Sequence, residues 1–297
     1  MRTRFSPRNL CPRHAARGLV RASALVLCIC RTDLALGKSA DEDEPENPGT
    51  TAPNLYLDLT TYYTTLPAGA LGIGFRNFTA LPTRASPASQ SFSVNAPITL
   101  DLTDRISVYG GISSSTSRTD VASWSSLVAD SWNVGFQADV IQQNGGSIPT
   151  VTVQSTLSRS IASGLQATTT LTNIVDFDYA LDSDATRGLL AGVRHVNVTV
   201  DSELARVNPS IIGYVGAYYQ WPSNWKLSGR IGVQSFGGAQ IATLSPFQPF
   251  TQPVARFDLD RLDDNDNRLF GLTAEISWVP KPAYQLTMRT PLYAIKN

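Results

Sequence analysis

Few residues in this 297-residue chain are of a type that does chemistry, and their spacing narrows the options further. Apart from one histidine near the start, the chain has a single histidine, His195, in Arg194-His195-Val196-Asn197-Val198-Thr199-Val200. A lone imidazole suits the general base of a Ser–His pair, as in an outer-membrane lipid hydrolase. No nucleophile motif surrounds any of the many serines, however, and nucleophilic catalysis needs a base within hydrogen-bond reach of its nucleophile. Metal binding is weaker still, because a zinc site takes several His or Cys ligands. The densest acidic stretch, Asp258, Asp260, Asp263, Asp264 and Asp266 in FDLDRLDDNDN, lacks the alternating ligands and the glycine of a calcium loop. It reads as a polar strand face running into a solvated turn, with a loop that binds Ca²⁺ or bridges cations between lipopolysaccharide phosphates as the alternative. Gly237-Gly238 has neither the lysine nor the helix start of a phosphate loop. No cofactor is expected.

What remains is a set of charges that recur at alternate positions. Asp58, Arg76, Asp101, Gln137, Asp139, Arg230, Glu275 and Arg289 each sit on the polar side of a two-residue period, and His195 is placed on that side with Asn197 and Thr199. Inward charges of opposite sign suit a constriction whose field selects solutes. Paired with one another, they would instead plug a closed structural barrel.

The elements that must position these residues are strands. In NLYLDLT, Leu55, Leu57 and Leu59 alternate with Tyr56, Asp58 and Thr60; LGIGFRNF, SFSVNAPITLDL, SWNVGFQADV and RLFGLTAEISW repeat the rhythm. Such regular alternation marks strands with one apolar and one polar face. Segments such as Val151–Ile161 and Leu165–Tyr179 are long enough to span a bilayer when tilted, which takes about 9–11 residues, whereas sandwich strands average nearer 5–6. Short turns at 66–69, 103–105, 144–146, 182–184, 222–224 and 280–282 alternate with longer connections near 79–91, 116–129, 202–209 and 237–253. Trp132, Trp221, Trp225, Trp278 and Tyr284 fall at strand ends and beside turns, where an interfacial girdle belongs. The pattern predicts an all-β fold, an antiparallel up-and-down transmembrane β-barrel of about 12 strands over 54–297. The surplus strand candidate is assigned to 255–297, and a secreted sandwich or jelly roll is the alternative.

The segment before the barrel differs. Residues 1–37 carry seven arginines and one acid, Asp33, then a short apolar run from Ala22 to Cys30 and small residues at Ala35-Leu36-Gly37. This is the layout of a secretory signal peptide, with a mitochondrial transit peptide as the alternative. Leu27 argues against a lipoprotein anchor at Cys28. All three cysteines, Cys11, Cys28 and Cys30, lie in this leader, so cleavage would leave no thiol for disulfides or metals. Cleavage would also leave 17 basic and 23 acidic residues, a net of −6, which argues against a nucleic-acid partner. Residues 38–53 are acidic and Pro-rich and read as a disordered tether.

Stretches such as LPAGALGIGFRNF, DLTDRISVYGG, SWNVGFQADV and YYQWPSNWKLSGRIGVQSFGG resemble proteobacterial outer-membrane barrels. More narrowly, they resemble the transporter-like barrels grouped with the phenol-degradation meta-pathway outer-membrane proteins. The resemblance implies a passive channel or uptake barrel in the bacterial outer membrane. It would sit in outer-membrane lipid and lipopolysaccharide, be inserted by the barrel assembly machinery and pass a small-molecule solute. Loops 116–129 and 237–253 would shape the outer mouth, the latter with Phe247 and Phe250 as a gate or an apolar grip. A closed structural or adhesive barrel is the alternative, and a lipid hydrolase using His195 a lesser one. Barrels of this kind usually end in an aromatic residue; this sequence ends Ala294-Ile295-Lys296-Asn297, so the assembly signal is expected to be displaced toward Tyr293 or missing.

Overall fold

The structure is a computed structural model that describes residues 54–73, 79–82, 86–161, 167–241, 246–264, 267–278 and 281–295. The leader 1–37, the tether 38–53 and Arg76 lie outside the described residues. Among the described residues there is no helix. In chain order the strands are β1 (Asn54–Leu66), β2 (Ala70–Ile73), β3 (Thr79–Pro82), β4 (Ser89–Thr103), β5 (Ile106–Thr119), β6 (Val128–Ile141), β7 (Thr150–Ser160) and β8 (Thr168–Ala180). They continue as β9 (Arg187–Val200), β10 (Ala205–Val207), β11 (Ser210–Gln220), β12 (Trp225–Phe236), β13 (Ala239–Ile241), β14 (Phe250–Leu262), β15 (Arg268–Trp278) and β16 (Pro282–Ile295).

Twelve of these close a barrel, each paired antiparallel with its neighbours, and the ring is sealed where β1 pairs with both β4 and β16. The other four form two small hairpin-like pairs, β2 with β3 and β10 with β13, outside the ring. The described part of LGIGFRNF, Leu71 to Ile73, is therefore not in the barrel ring: it lies in β2, which pairs with β3. That hairpin is the surplus strand candidate, and the region 255–297 holds only β14, β15 and β16. Alternation within eight residues cannot separate a wall strand from a loop hairpin, because both present two faces.

The connections sort by mouth. The ends Asn54 and Ile295 share one mouth with the turns at 104–105, 142–149, 181–186, 221–224 and 263–267. Residues 67–88, 120–127, 161–167, 201–209, 237–249 and 279–281 connect strands at the other, called here the loop mouth. In the 142–149 turn, Asn144 and Gly145 hold positive φ (43° and 73°), the handedness that lets an Asn-Gly pair reverse the chain without splaying the strands.

The barrel's outside is apolar and its inside is polar, the reverse of a water-soluble domain. Ile231 and Val215 are 64% and 60% exposed on the outer face, with Ile112, Val134, Leu189, Val193, Ile211 and Phe257 also exposed there. A soluble monomer rarely carries a contiguous apolar patch above a few hundred Å². Here the patch encircles the molecule. Strands of 11–15 residues at the tilt a 12-strand closure imposes give a wall of roughly 25 Å or more.

Candidate functional site

The inward side chains divide the lumen into two levels. Toward the loop mouth they are small, polar and packed. Asn95, Ser113, Ser131, Thr170, Gln234, Gln252 and Ser277 are the largest fully buried side chains. Asn95 Oδ1 accepts from Ser113 Oγ (3.0 Å) and Asn133 Nδ2 (3.3 Å), and Gln252 Nε2 donates to Gln234 Oε1 (2.7 Å). Above Gln234 sits a buried cluster of Phe236 and Ala239, with Val207, Phe247 and Phe250 packed on it. Gly237 donates to Pro209 O (3.0 Å) and Asn208 to Gly238 O (2.9 Å), so the 201–209 and 237–249 connections are tied together over this corner. Phe250 opens β14 rather than lying in a loop, and β5 runs on to Thr119, so both expected loops are shorter than the sequence suggested.

Below this layer lies a cavity of about 590 Å³ with two unlike walls. One wall, from β4 to β7, is uncharged there: Asn95, Thr99, Ser107, Tyr109, Gln137, Gln154, Thr156 and Ser158 line it. Several of its polar atoms bond to one another; Tyr109 Oη pairs with Thr156 Oγ1 (2.5 Å) and accepts from Gln154 Nε2 (2.8 Å). The other wall carries Arg194, Arg230, Arg256, Arg268 and Arg289 from β9, β12, β14, β15 and β16. A second cavity of about 440 Å³, nearer the turn mouth, shares Arg230, Arg256, Arg268 and Arg289 with the first. The arginines thus stand where the two cavities meet.

Glycines keep this interior open. The hydroxyl end of the Tyr214 ring lies against Gly192, where an added Cβ would meet its Cζ and Oη at 2.6 Å, and Tyr109 lies against Gly135 in the same way. Tyr214 Oη also donates to Asp176. A tyrosine laid along the wall reaches little way into the lumen.

Of the residues expected to line the lumen, Asp58, Gln137, Arg230, Glu275 and Arg289 line the central cavity. Asp101 and Asp139 face the lumen nearer the turn mouth, accepting from Ser107 Oγ and Thr152 Oγ1 at 2.6 Å each. His195 is a correction. Strand alternation puts Arg194 in the cavity and His195 on the outer wall, beside Asn173 and Ile211 in register. The misreading has a physical cause. Val196 and Val198, which look like a lipid-facing pair, are 3% and 6% exposed because they fill the packed loop-mouth level from inside. Outside, Asn173 accepts from Ser155 Oγ (2.9 Å) and stands between that serine and His195. Ser155 and His195 are therefore two strands apart, about 9–10 Å at the backbone. That spacing gives no Ser–His contact.

Asp266 lies outside the described residues, and the rest of the acidic stretch is consumed by partners. Asp258 takes a forked bond from Arg256 (2.8 and 3.0 Å) and one from Thr273 Oγ1 (2.5 Å). Asp260 pairs with Arg268 at 2.8 Å, Asp263 accepts from Asn267, and Asp264 accepts from Asn224 Nδ2 at 2.8 Å. No group of His, Cys, Asp or Glu among the described residues has a metal-binding arrangement. Arg194, Arg256, Arg268, Asp176 and Tyr214 were missed as lumen residues, although the two-residue period of β8, β11 and β14 could have found Asp176, Tyr214 and Arg256.

Trp221 and Trp225 stand exposed at the turn mouth, where Tyr219 meets Trp221 edge to face at 5.4 Å. Trp278 and Tyr284 are exposed on the outer wall at the loop mouth, and Trp132 lies a few residues below that rim.

No family model and no curated protein sequence matches this chain. Among solved structures, an outer membrane channel from Pseudomonas putida F1 is similar at 9% identity with a TM-score of 0.54, covering 85% of this chain and 100% of that one. The translocator domain of the autotransporter NalP from Neisseria meningitidis matches at 11% identity and TM-score 0.42, covering 94% of this chain and 96% of that one. The transport unit of the autotransporter AIDA-I from Escherichia coli matches at 9% identity and TM-score 0.44, covering 93% and 98%. At these identities the first likeness is one of fold: this chain folds as outer-membrane barrels do.

Proposed function

We propose that this protein is a channel of the bacterial outer membrane that passes small solutes through its lumen. The observation that carries the reading is the inside-out barrel: an apolar belt encloses a charged cavity that shares a wall of arginines with a second cavity toward the turn mouth. A belt of this kind is stable in hydrocarbon, where burying one Leu or Ile side chain is worth about 1.5–3 kcal/mol. A closed barrel also leaves no unpaired strand edge there. Outer-membrane lipid and lipopolysaccharide then surround the belt, and the barrel assembly machinery inserts it. The proposed role is transport, with no catalysis assigned to His195 or to any other residue.

The packed loop-mouth level favours a second reading, a closed structural barrel. Planar-bilayer recording of the full chain, refolded in detergent, separates the two. Stepwise conductance is the expected result. A heat-modifiable, folded barrel that never conducts overturns the channel and leaves the structural barrel.

A further inference from the structure

The five cavity arginines are not equally matched with acids. Arg256 is neutralised by Asp258 and Arg268 by Asp260, while Arg194 stands 3.9 Å from Glu275. Arg230 and Arg289 form no ion pair and no hydrogen bond with any described residue. Arg230 rests over the Tyr214 ring, 5.3 Å from its centroid, and its Nε is buried without a partner. Arg230 also stands directly opposite Arg256 in the β12–β14 register, and Arg289 opposite Gly271 and Thr60. Like charges facing each other across two strands destabilise a sheet. An arrangement that leaves two guanidiniums unmatched beside two matched ones favours an anion between them.

The opposite wall says what else the anion carries. Thr99, Ser107, Tyr109, Gln137, Gln154 and Thr156 face the arginines across the cavity. These hydroxyls and amides match a polar, hydrogen-bonding body and offer little to a hydrocarbon. Guanidinium forks bind planar carboxylates through two parallel bonds and also grip phosphates.

We infer that the central cavity is a binding site for a small hydroxylated oxyanion, of the sugar-acid or sugar-phosphate class. Arg230 and Arg289 hold the anionic group, and the β4–β7 wall receives the hydroxyls. The inference rests on the solute-channel reading and names the solute's chemistry.

The test uses the full chain in planar bilayers under a potassium chloride gradient, with gluconate, glucose 6-phosphate, glucose or benzoate added to one side. The same four compounds are titrated calorimetrically into the detergent-refolded barrel. The expected results are a reversal potential on the chloride side and a block by gluconate or glucose 6-phosphate at concentrations tenfold or more below those needed for glucose and benzoate. Preference between the two anions separates a carboxylate from a phosphate as the natural group. Arg230→Gln with Arg289→Gln abolishes the block and the calorimetric signal; the corresponding double Lys variant keeps chloride preference but binds the anions more weakly; His195→Ala, on the outer wall, changes neither. Cation selectivity in the unmodified protein, equal block by benzoate, or a block that survives the double Gln substitution overturns the inference while leaving a channel. Calorimetric binding without conductance does the reverse: it removes the channel and keeps the anion site. Neither binding nor conductance removes both.

Discussion

The wall from β4 to β7 and the wall from β9 to β16 share strand length, period and closure, yet their interiors are built differently. On the first, several inward polar atoms are answered by a near neighbour: Ser113 by Asn95, Tyr109 by Thr156, Asp101 by Ser107. On the second, arginines outnumber the carboxylates in ion-pair contact with them, and the two shortest pairs there are local: Arg256 with Asp258 two residues on and Arg268 with Asp260 on the adjoining strand. The difference teaches that a β-barrel's polar face is not one surface. Mutually bonded hydroxyls and amides hold the wall's shape and meet a solute with their remaining donors and acceptors, while unmatched charges keep their full capacity for it.

The comparison can be sharpened by moving charge between faces. Ile231→Arg, on the outer belt, is expected to cost about 2–4 kcal/mol if the belt lies in hydrocarbon. Thr99→Arg, on the neutral inner wall, should cost far less because the lumen is wet. Denaturant unfolding in lipid vesicles measures both, and equal costs would break the inside-out assignment. Next in size is Gly192→Val. Its side chain displaces the Tyr214 ring from the wall into the cavity, at an overpacking cost of about 1–3 kcal/mol. Unitary conductance should fall while the barrel still forms; unchanged conductance would mean that the tyrosine does not border the path. Asp258→Asn removes the forked carboxylate from Arg256 and costs about 1.5 kcal/mol, the low end for a charge-assisted bond. It should also raise chloride preference in the reversal potential by adding an unmatched cation.

The smallest effect is expected at the turn mouth. The hydroxyl of Thr186 donates to Asp182 (2.6 Å) and holds its carboxyl below the usual range, helped by the Thr186 and Arg187 backbone N–H groups and the Arg187 guanidinium. Because the folded value is the depressed one, this contribution is complete above the unfolded carboxylate's pKa of about 3.9 and fades as pH falls through the folded value. Acid unfolding followed by tryptophan fluorescence should show a slightly shallower acid limb in Asp182→Asn. An unchanged limb would show that the turn adds nothing to acid stability.

Much of the fold was legible before any coordinates. Alternation in NLYLDLT, SFSVNAPITLDL and SWNVGFQADV placed Asp58, Asp101, Gln137 and Asp139 on the inner face, because a strand's side-chain period is two wherever it lies. His195 was misplaced because apolarity identifies the lipid side only where the inside is wet. At the packed loop-mouth level the inside takes valines as well, and the phase of β9 reads backwards. The β2–β3 hairpin was misread for a related reason: alternation reports two faces, not membership of a ring.

By itself the sequence determined the strand character of the chain, the polar identity of most inner positions and the absence of a nucleophile motif, since each of these is a local property of residue type and spacing. Only the tertiary structure decided that β1 closes on β16, that four arginines from separate strands border both cavities, and that, among the described residues, Arg230 and Arg289 have no carboxylate in ion-pair contact. Those facts depend on which strands pair and in what register. Register is set by the closure of the whole ring, and no short stretch of the chain carries that information.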